Sequence, residues 1–393
     1  MINARFGTPG SYCPVEQTNP VRATGHIRWH DAPVMRIAID IGPLHGHRTG
    51  VGTAVAHLVD HLRDDTDLEL HPYLLSFRAP QVTGQIRLPL PARIATRCWA
   101  RTDQPRADRW LSAAEVVHGT NYVVPPTRRP SVISVYDCWF LAHQEQANPD
   151  VVRAGMILRR AVDRGAWIHA SSEATAIEAR RLLGTDRVRS IHLGPPDPIP
   201  TPHERPDALA RLGDHRFVLA IGTSERRKRH PWLAEVFATL DSDLHLVFAG
   251  APGDDRDQLL HTIAGLPTSV SNRIHLLGAV DAATRSWLLH HATVVAYPSI
   301  DEGFGFPILE AQSVGAPMVA TRAGSIPEVG GDGVITVDAD DRSGFADAIT
   351  AASTAGSIRD GLVAAGHQNL NRFSWRRTTD GIIDLYRTAL EGA

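Results

Sequence analysis

The stretch TVVAYPSIDEGFGFPILEAQSV, residues 293–314, contains a strand, a bend and a helix in direct succession. TVVAYPS (293–299) is a short β-branched, apolar run that predicts a buried strand. Gly303 and Gly305 follow, and glycine at every second position suits neither a regular helix nor a regular strand. Pro307 fits the first position of a helix, because no N–H is needed there. This order predicts one unit of a parallel α/β sheet.

The same alternation recurs along the chain, and it predicts a series of βαβ units. In the first half the predicted strands are 36–40, 131–137, 167–171 and 188–194, and the helices are 50–62, 150–164 and 171–183. In the second half the predicted strands are 217–222, 244–250, 273–278, 293–299, 317–321 and 333–338, and the helices are 230–240, 282–292 and 307–314.

The proline-dense run PPDPIPTPHERP, residues 195–206, divides these two series and predicts an interdomain linker. We therefore expect α/β domains at 34–194 and 213–374, joined by a linker at 195–212. A helix at 375–393 is expected to pack back towards the first domain. The predicted fold class is two doubly wound, Rossmann-like parallel-sheet domains that face a central cleft. In such sheets ligands bind beyond the carboxyl ends of the strands.

The composition of the chain argues against several classes of function. The 393 residues suffice for two domains, and 43% hydrophobic and 21% charged residues are ordinary for a globular protein. A net charge of −3 gives no basic field for nucleic acid. Cys13, Cys98 and Cys138 are scattered, which fits a reducing compartment and offers no zinc motif. No apolar run is as long as the about 18 residues that a membrane-spanning helix needs.

Residues 1–33 are polar and lack both periodicity and the apolar core of a signal peptide. They predict a disordered tail, or a start codon assigned too far upstream. Met35 then begins the first strand.

Three loops that follow predicted strands contain the candidate binding residues. In GPLHGHRTGVGTAVAHL (42–58), Gly50 and Gly52 permit close backbone approach, and the helix start offers N–H groups to an anion. The dinucleotide fingerprint GxGxxG is not met, because Val55 occupies the third glycine position. A plain flexible loop is an equal alternative.

The second loop, GTSERRKRH (222–230), places Arg226, Arg227, Lys228 and Arg229 at the end of the strand 217–222. A solvated basic turn is the ordinary interpretation of such a run. Its position at the predicted cleft favours binding of a diphosphate instead.

The third loop carries Glu302 and precedes a helix whose N-terminus points at the cleft, as suits a phosphate. Glu310 is expected in the first turn of that helix. Either glutamate could be incidental, Glu310 as a partner of the helix dipole and Glu302 as a loop carboxylate. Two carboxylates beside one anion site are better explained as acceptors for sugar hydroxyls.

EGFGFPILEA resembles the EGFGLP-x-x-EA signature of retaining glycosyltransferase family 4, which has the GT-B fold. GTSERRKR resembles the GT-x-E-x-RKN diphosphate motif of that family, and TGVG resembles its glycine-rich first loop. The resemblance covers residues 35–390 approximately. Within the family the sequence resembles mannosyltransferase-like members of polysaccharide pathways.

The resemblance implies a role for each matching residue. Glu310 would accept hydrogen bonds from the ribose of a nucleotide, and Glu302 would hold hydroxyls of the donor sugar. Arg227 and Lys228 would neutralise the diphosphate. The residues implied to surround the donor are Gly50, Gly52, Thr223, Arg227, Lys228, Glu302, Gly303, Phe304, Gly305, Phe306 and Glu310. A front-face retaining mechanism is implied, in which the departing phosphate helps to deprotonate the acceptor.

The chain departs from the family pattern in places. Tyr136 and Asp137 stand where many relatives have histidine and aspartate, and Thr223 and Arg229 replace an arginine and an asparagine. His118 follows a strand and could approach the reacting centre, although a buried structural histidine is the commoner outcome. The candidate catalytic residues are Glu302, Arg227, Lys228, His118 and Asp137.

We expect no cofactor and no metal. The substrates would be a UDP- or GDP-linked sugar and a glycan or lipid-linked acceptor. DSD (241–243) and DAD (338–340) resemble a metal motif of another fold but fit capping or loop roles better. Competing hypotheses are a nucleotide-sugar epimerase and a catalytically silent sugar-nucleotide-binding subunit. The arginines of 92–110 and 150–164 raise a further possibility, peripheral contact of a cytoplasmic protein with the inner face of an anionic membrane.

Overall fold

The computed structural model describes residues 34–45, 50–78, 82–240 and 243–392. The predicted tail, residues 1–33, lies outside this part of the chain, as do residues 46–49 of the glycine-rich loop. The described residues form two parallel sheets with helices on their faces.

The first sheet has seven strands in the order β3-β2-β1-β4-β5-β6-β7, all parallel. Its strands are β1 (Met35–Asp40), β2 (Leu68–Leu75), β3 (Ile86–Leu88), β4 (Val116–Gly119), β5 (Ser131–Val135), β6 (Trp167–Ala170) and β7 (Val188–Ser190). Its helices are α1 (Gly50–Arg63), α2 (Ala92–Trp99), α3 (Trp139–Ala142), α4 (Pro149–Asp163) and α5 (Glu173–Leu183).

The second sheet has six parallel strands in the order β10-β9-β8-β11-β12-β13. Its strands are β8 (Phe217–Ile221), β9 (His245–Ala249), β10 (Ile274–Gly278), β11 (Val294–Tyr297), β12 (Met318–Thr321) and β13 (Ile335–Val337). Its helices are α6 (His230–Phe237), α7 (Arg256–Gly265), α8 (Thr268–Ser271), α9 (Ala282–His291), α10 (Phe306–Ser313), α11 (Ile326–Gly330), α12 (Arg342–Ser353) and α13 (Ser357–Leu370), and α14 (Trp375–Glu391) ends the chain.

The prediction of two doubly wound parallel sheets is confirmed, although the sequence pattern missed several elements. Strand β2 contains Pro72, which removes a backbone donor and argues against a central strand. Strand β3 has only three residues and therefore too few for a visible alternation. The last six residues of the predicted linker form a 3₁₀ turn, Asp207–Leu212, and two of its leucines are buried in the core of the second sheet.

Helix α14 packs on the first sheet rather than on the second, to which it is adjacent in sequence. Its buried Ile382 and Tyr386 belong to the same apolar cluster as Val55 of α1. At its start the Trp375 indole Nε1 donates to the Pro195 carbonyl (2.9 Å) and the ring stacks on His57, with centroids 4.7 Å apart. The end of the chain therefore ties the two domains together.

Gly303 forms a close contact between the two domains. Its carbonyl oxygen accepts from the hydroxyls of Ser171 (3.1 Å), Ser172 (2.6 Å) and Thr175 (3.0 Å), which lie at the start of α5. A Cβ atom at position 303 would lie 1.4 Å from the Tyr136 carbonyl oxygen. Only glycine permits this approach.

Glu328 makes a second contact with the same end of α5. Its carboxylate accepts from the backbone N–H groups of Glu173 (2.8 Å) and Ala174 (3.0 Å) and lies 2.5 Å from His192 Nε2. A carboxylate at a helix N-terminus satisfies otherwise unpaired donors. The start of α5 thus holds two segments of the second domain, the loop after β11 and the short helix α11.

We predict that Gly303→Ala separates the domains without unfolding either of them, because the added methyl group overlaps the Tyr136 carbonyl. Small-angle X-ray scattering should show a larger radius of gyration, and hydrogen exchange should quicken at Thr175, whose amide is bonded to Ser172 Oγ. The matched control is Gly361→Ala in α13, where a Cβ meets nothing within 4 Å.

Gly361→Ala should leave the scattering unchanged and raise the free energy of unfolding by about 0.8–1 kcal/mol, since alanine favours a helix interior over glycine. Identical scattering and exchange in Gly303→Ala and the wild type would contradict the prediction.

Candidate active site

The candidate site lies where the strand order of the second sheet reverses. Strand β8 lies between β9 and β11, so the loops after β8 and β11 leave adjacent strand ends. In open parallel sheets this switch point is the usual place for a ligand. The loop after β8 carries Arg227 and Lys228, and the loop after β11 carries Glu302.

Glu302 joins these two loops through buried ion pairs. Its Oε1 atom lies 2.8 Å from Lys228 Nζ and 2.9 Å from the Arg227 guanidinium. Lys228 Nζ also donates to the Tyr297 hydroxyl (3.0 Å), and Arg227 Nε donates to Glu225 (2.8 Å). Both Glu302 and Lys228 are 7% exposed.

The charges of this cluster stabilise one another. Burial alone would raise the pKa of Glu302, but Lys228 and Arg227 lower it to about 2. Burial opposes the charge of Arg227, yet Glu302 and Glu225 raise its pKa overall. Glu302 and Arg227 are therefore ionised at neutral pH.

The two cations retain hydrogen-bond donors that the described residues do not use. A lysine ammonium has three N–H donors, and Lys228 spends two of them on Tyr297 and Glu302. The Arg227 guanidinium has five, of which Nε binds Glu225 and Nη1 binds Glu302 and the Asp301 carbonyl. The arrangement holds both cations rigidly and leaves them able to bind an anion.

Helix α10 begins beside this cluster. Gly305 adopts a left-handed conformation (φ 86°) and turns the chain into the helix, whose first two residues are Phe306 and Pro307. Gly50, the first residue of α1, faces the Phe306 ring, since a Cβ there would lie 3.8 Å from it. Two helix N-termini thus approach each other, and each carries a partial positive charge.

Two expectations about this loop are wrong in detail. Strand β11 ends at Tyr297 and not at Ser299. Glu310 is the fifth residue of α10 and lies beyond its first turn, because the helix already starts at Phe306. Its carboxylate is ion-paired with Arg285 of α9, so a dipole partnership does not explain it.

The other predicted donor residues surround the same loops. Gly50 and Gly52 lie in the first turn of α1, and Thr223 lines the cleft together with Arg227. Phe304 is buried and packs edge-to-face on Phe306. Its role is to anchor the loop.

A cavity of about 700 Å³ opens between the domains next to Arg227. Asp137 lies in its wall, where its carboxylate accepts from the Tyr122 hydroxyl (3.2 Å) and the Trp139 amide (3.2 Å). Burial raises the pKa of Asp137. The same wall includes Asn121, Tyr122, Trp139, Phe140, Gln146 and Asn148. Aromatic faces and planar polar groups of this kind suit a carbohydrate.

The sequence analysis missed Asp301 and Glu328. Asp301 lines a neighbouring cavity of about 470 Å³ beside Trp139, and burial, with the nearby Asp137 and Glu302 charges, raises its pKa to about 6. Asp301 lies in the loop after β11, so the rule that selected Glu302 also applies to it, whereas Glu328 lies within the short helix α11. Neither belongs to a motif that the sequence alone makes visible.

His118 does not reach the cleft. It is fully buried, its Nδ1 atom lies 2.7 Å from the Tyr386 hydroxyl and its Nε2 atom lies 2.9 Å from Ser134 Oγ. Burial, together with the neighbouring His169, lowers its pKa to about 3. The structural alternative for His118 fits this geometry, and the proposed approach to a reacting centre does not.

We predict that the free energy of unfolding decreases as the pH falls, because the buried histidines bind protons more weakly in the folded chain than in the unfolded chain. Burial lowers the pKa values of His118 (to about 3), His169 (to about 4) and His230 (to about 4) below the ordinary 6.5. The unfolded chain therefore binds more protons, so the stabilisation is complete above about pH 6.5 and is lost as pH falls towards these values. Each of these histidines is expected to lower the free energy of unfolding by up to about 1.4 kcal/mol for each pH unit.

Urea unfolding at about pH 7.5 and about pH 5.5 measures this slope. His118→Asn should reduce it, and His261→Gln, at an exposed position, should not. The same slope in His118→Asn as in the wild type would contradict the prediction.

Metal-like motifs do not form a site in the described part of the chain. No group of three or more histidine, cysteine, aspartate or glutamate residues there could hold a metal ion. Asp338 and Asp340 of DAD pair with Arg322 and Arg229. DSD lies partly outside the described residues.

Comparison with known proteins supports the resemblance to glycosyltransferases. Residues 215–354 match the family model described as "Glycosyl transferases group 1". The O-antigen chain mannosyltransferase B of Escherichia coli is 29% identical over 338 residues, which cover 83% of this chain and 85% of that protein. A D-inositol 3-phosphate glycosyltransferase of Saccharomonospora viridis is 42% identical over 101 residues, 25% of this chain and 23% of that protein.

Solved structures confirm the GT-B fold. Sucrose-phosphate synthase from Thermosynechococcus elongatus superposes with a TM-score of 0.70 at 17% identity, over 91% of this chain and 100% of that one. The Anabaena HepE protein in complex with UDP-glucose superposes with a TM-score of 0.65 at 18% identity, over 90% of this chain and 100% of that one. At such identities the likeness concerns the fold alone.

Proposed function

We propose that this group 1 glycosyltransferase transfers a hexose from a nucleoside-diphosphate sugar to a glycan or lipid-linked acceptor in polysaccharide or glycoconjugate biosynthesis. The observation that carries the proposal is the buried Glu302–Arg227–Lys228 cluster beside the start of α10. Mannose is the first candidate for the hexose, on the similarity to the E. coli O-antigen mannosyltransferase. The donor nucleotide is a GDP or UDP.

The leaving group of this reaction is a nucleoside diphosphate, and negative charge grows on it as the bond to the sugar breaks. The unused donors of Arg227 and Lys228 and the N–H groups at Gly305 and Phe306 would stabilise that charge. Because Glu302 and Tyr297 hold Lys228 in place, the stabilisation costs little reorganisation. Such fixed cations supply what a metal provides elsewhere, so we propose a reaction that needs neither metal nor cofactor.

The two carboxylates would bind hydroxyl groups of the donor. Glu302 presents a second oxygen besides the one that pairs with the cations, and that oxygen would accept from the sugar. Glu310 lies further along α10, one turn from the diphosphate end, and would accept from the ribose. Arg285 neutralises Glu310 and orients it.

The acceptor would occupy the cavity beside Asp137. A hydroxyl of the acceptor would then approach the sugar from the face on which the diphosphate leaves, with retention of configuration. Asp137 would orient this hydroxyl, and the departing phosphate would take its proton. No dedicated base is required, which agrees with the interior position of His118.

We predict that Lys228→Ala lowers kcat by about 10²–10³-fold, the usual cost of removing one preorganised charge donor. Glu310→Ala should raise KM for the donor by about 10- to 100-fold, because hydrogen bonds to a charged group contribute about 1.5–3 kcal/mol. Arg322→Ala, which removes an exposed arginine of the second domain, is the matched control and should change neither.

The assay combines thermal shift and radiolabel transfer with GDP-mannose, UDP-glucose and the free nucleotides. The proposal expects one nucleotide to raise the melting temperature and transfer to persist in EDTA. Full transfer activity of both Lys228→Ala and Glu310→Ala would contradict the proposed glycosyltransferase function. Equal shifts with all donors would remove the basis for mannose, and an epimer formed from donor alone would favour an epimerase.

We also propose that the enzyme acts in the cytoplasm, at the inner face of a membrane. The helix α2 exposes Arg93, Ile94 and Arg97, and Ile94 is 59% exposed. Phe77, which is 62% exposed, follows β2, whose Leu75 packs against the cluster under α2. Exposed apolar side chains flanked by arginines suit an anionic bilayer surface. Among the described helices, none has the length and apolar character to cross a bilayer.

We expect the wild type to sediment with phosphatidylglycerol vesicles and not with phosphatidylcholine vesicles. Ile94→Asn should weaken this binding, whereas Ile358→Asn, which removes an equally exposed isoleucine (55%) from the second domain, should not. Sedimentation that ignores lipid charge would remove the membrane proposal and leave the transferase proposal intact.

A further inference from the structure

We infer that the first domain contains a second ligand site, one for phosphate groups, at the edge of its sheet that faces away from the cleft. A cavity of about 530 Å³ opens there, lined by five arginines: Arg106, Arg128, Arg129, Arg164 and Arg187. Ser131 and Trp167, the first residues of β5 and β6, also line it. The catalytic cleft lies beyond the opposite, carboxyl ends of these strands, so the two sites are distinct.

The positive charge of this cavity is poorly compensated. Arg164 pairs with Asp103 (2.6 Å), but Asp103 also takes Arg160 (3.0 Å). Arg129 and Arg187 donate to the carbonyls of Ser112 and Gly165 (both 2.7 Å), which carry no net charge. Within the described residues, no aspartate or glutamate lines this cavity.

Several guanidinium donors remain unused. In the described part of the chain, the side chains of Arg106 and Arg128 form neither a hydrogen bond nor an ion pair. Asp108 lines an adjoining cavity and attracts Arg106, but its hydrogen bonds come from Thr127 Oγ1 (2.9 Å) and from the Arg128 backbone amide (2.8 Å). The Arg129 Nε atom is buried and has no partner among those residues. A buried donor without a partner costs stability, which a bound acceptor would recover.

The neighbouring arginines also repel one another. Burial lowers the pKa of Arg164, and the charges of Arg160 and Arg106 lower it further, while Asp103 opposes both effects. Neighbouring like charges destabilise the protein when no anion is bound. An anionic ligand would therefore gain affinity by relieving the repulsion.

Phosphate is the anion that this chemistry favours. Each guanidinium presents a planar fork of donors that matches two phosphate oxygens, and several forks converge on one cavity. The volume accommodates a diphosphate, and Trp167 and Ala389 supply an apolar wall for the group that carries it. That group is either a soluble metabolite or a lipid whose headgroup phosphate enters from a membrane surface.

The test compares two double variants of the full chain that lose the same charge. Arg106→Gln/Arg128→Gln removes two cavity arginines without breaking an ion pair. Arg322→Gln/Arg376→Gln removes two arginines that are 60% and 86% exposed elsewhere. Both are made in a Lys228→Ala background, so that the catalytic cleft contributes little, and pyrophosphate binding is measured by calorimetry.

We expect the cavity variant to bind pyrophosphate at least about tenfold more weakly than the control variant, since it loses charge-assisted hydrogen bonds. A second arm measures sedimentation with phosphatidylglycerol vesicles, in which both variants keep the wild-type α2. A loss confined to pyrophosphate identifies a soluble ligand, and a loss confined to vesicles identifies a lipid headgroup. Equal behaviour of the two variants in both arms would overturn the inference.

Thermal unfolding separates a binding defect from misfolding. The cavity variant should melt at a higher temperature than the control variant at low salt, because repulsion is relieved, and the difference should shrink as salt screens the charges. A lower melting temperature at every salt concentration would show that these arginines are structural and would also overturn the inference.

Discussion

The buried ion pairs of Glu302 with Arg227 and Lys228 are the interaction on which the second domain depends. A charge that is 7% exposed survives only when it is paired, and each loop would leave the other with an unpaired charge if it moved. The loops after β8 and β11 are therefore fixed relative to each other. Such pairs contribute little net stability, since desolvation offsets their attraction. What these ion pairs provide is a fixed geometry, because they hold the two cations at the start of α10.

The first domain completes this arrangement through the adjacent residue of the same loop. Gly303 directs its carbonyl into three hydroxyls at the start of α5, and Glu328 caps the same helix end. One short loop thus contributes both to the ionic cluster and to the interdomain contact. Because Asp137 follows Tyr136, whose carbonyl lies against Gly303, this loop also sets the proposed acceptor side against the proposed donor side.

The sequence predicted the architecture well because buried parallel strands are continuous apolar runs, and it placed Glu302, Arg227 and Lys228 in the loops after them, which the structure brings together. It failed where local pattern and tertiary environment disagree. Pro72 concealed β2, and the position of Glu310 depended on a helix start one residue earlier than expected. The sequence predicts that His118 follows a strand like the site residues, but it lies within β4 and its side chain is buried in the core, which periodicity cannot distinguish. The five arginines of the cavity come from four separate segments of the chain, so no local pattern reveals it.

The most direct test of the central claim is a crystal structure with the nucleoside diphosphate that binds most tightly. The account predicts that the diphosphate lies at the start of α10, with its oxygens within hydrogen-bond distance of Arg227 and Lys228, and that Glu310 contacts the ribose. It also predicts that the Glu302–Lys228 ion pair persists in the complex. A diphosphate bound elsewhere in the cleft, or a Lys228 that leaves Glu302 to reach it, would contradict the account.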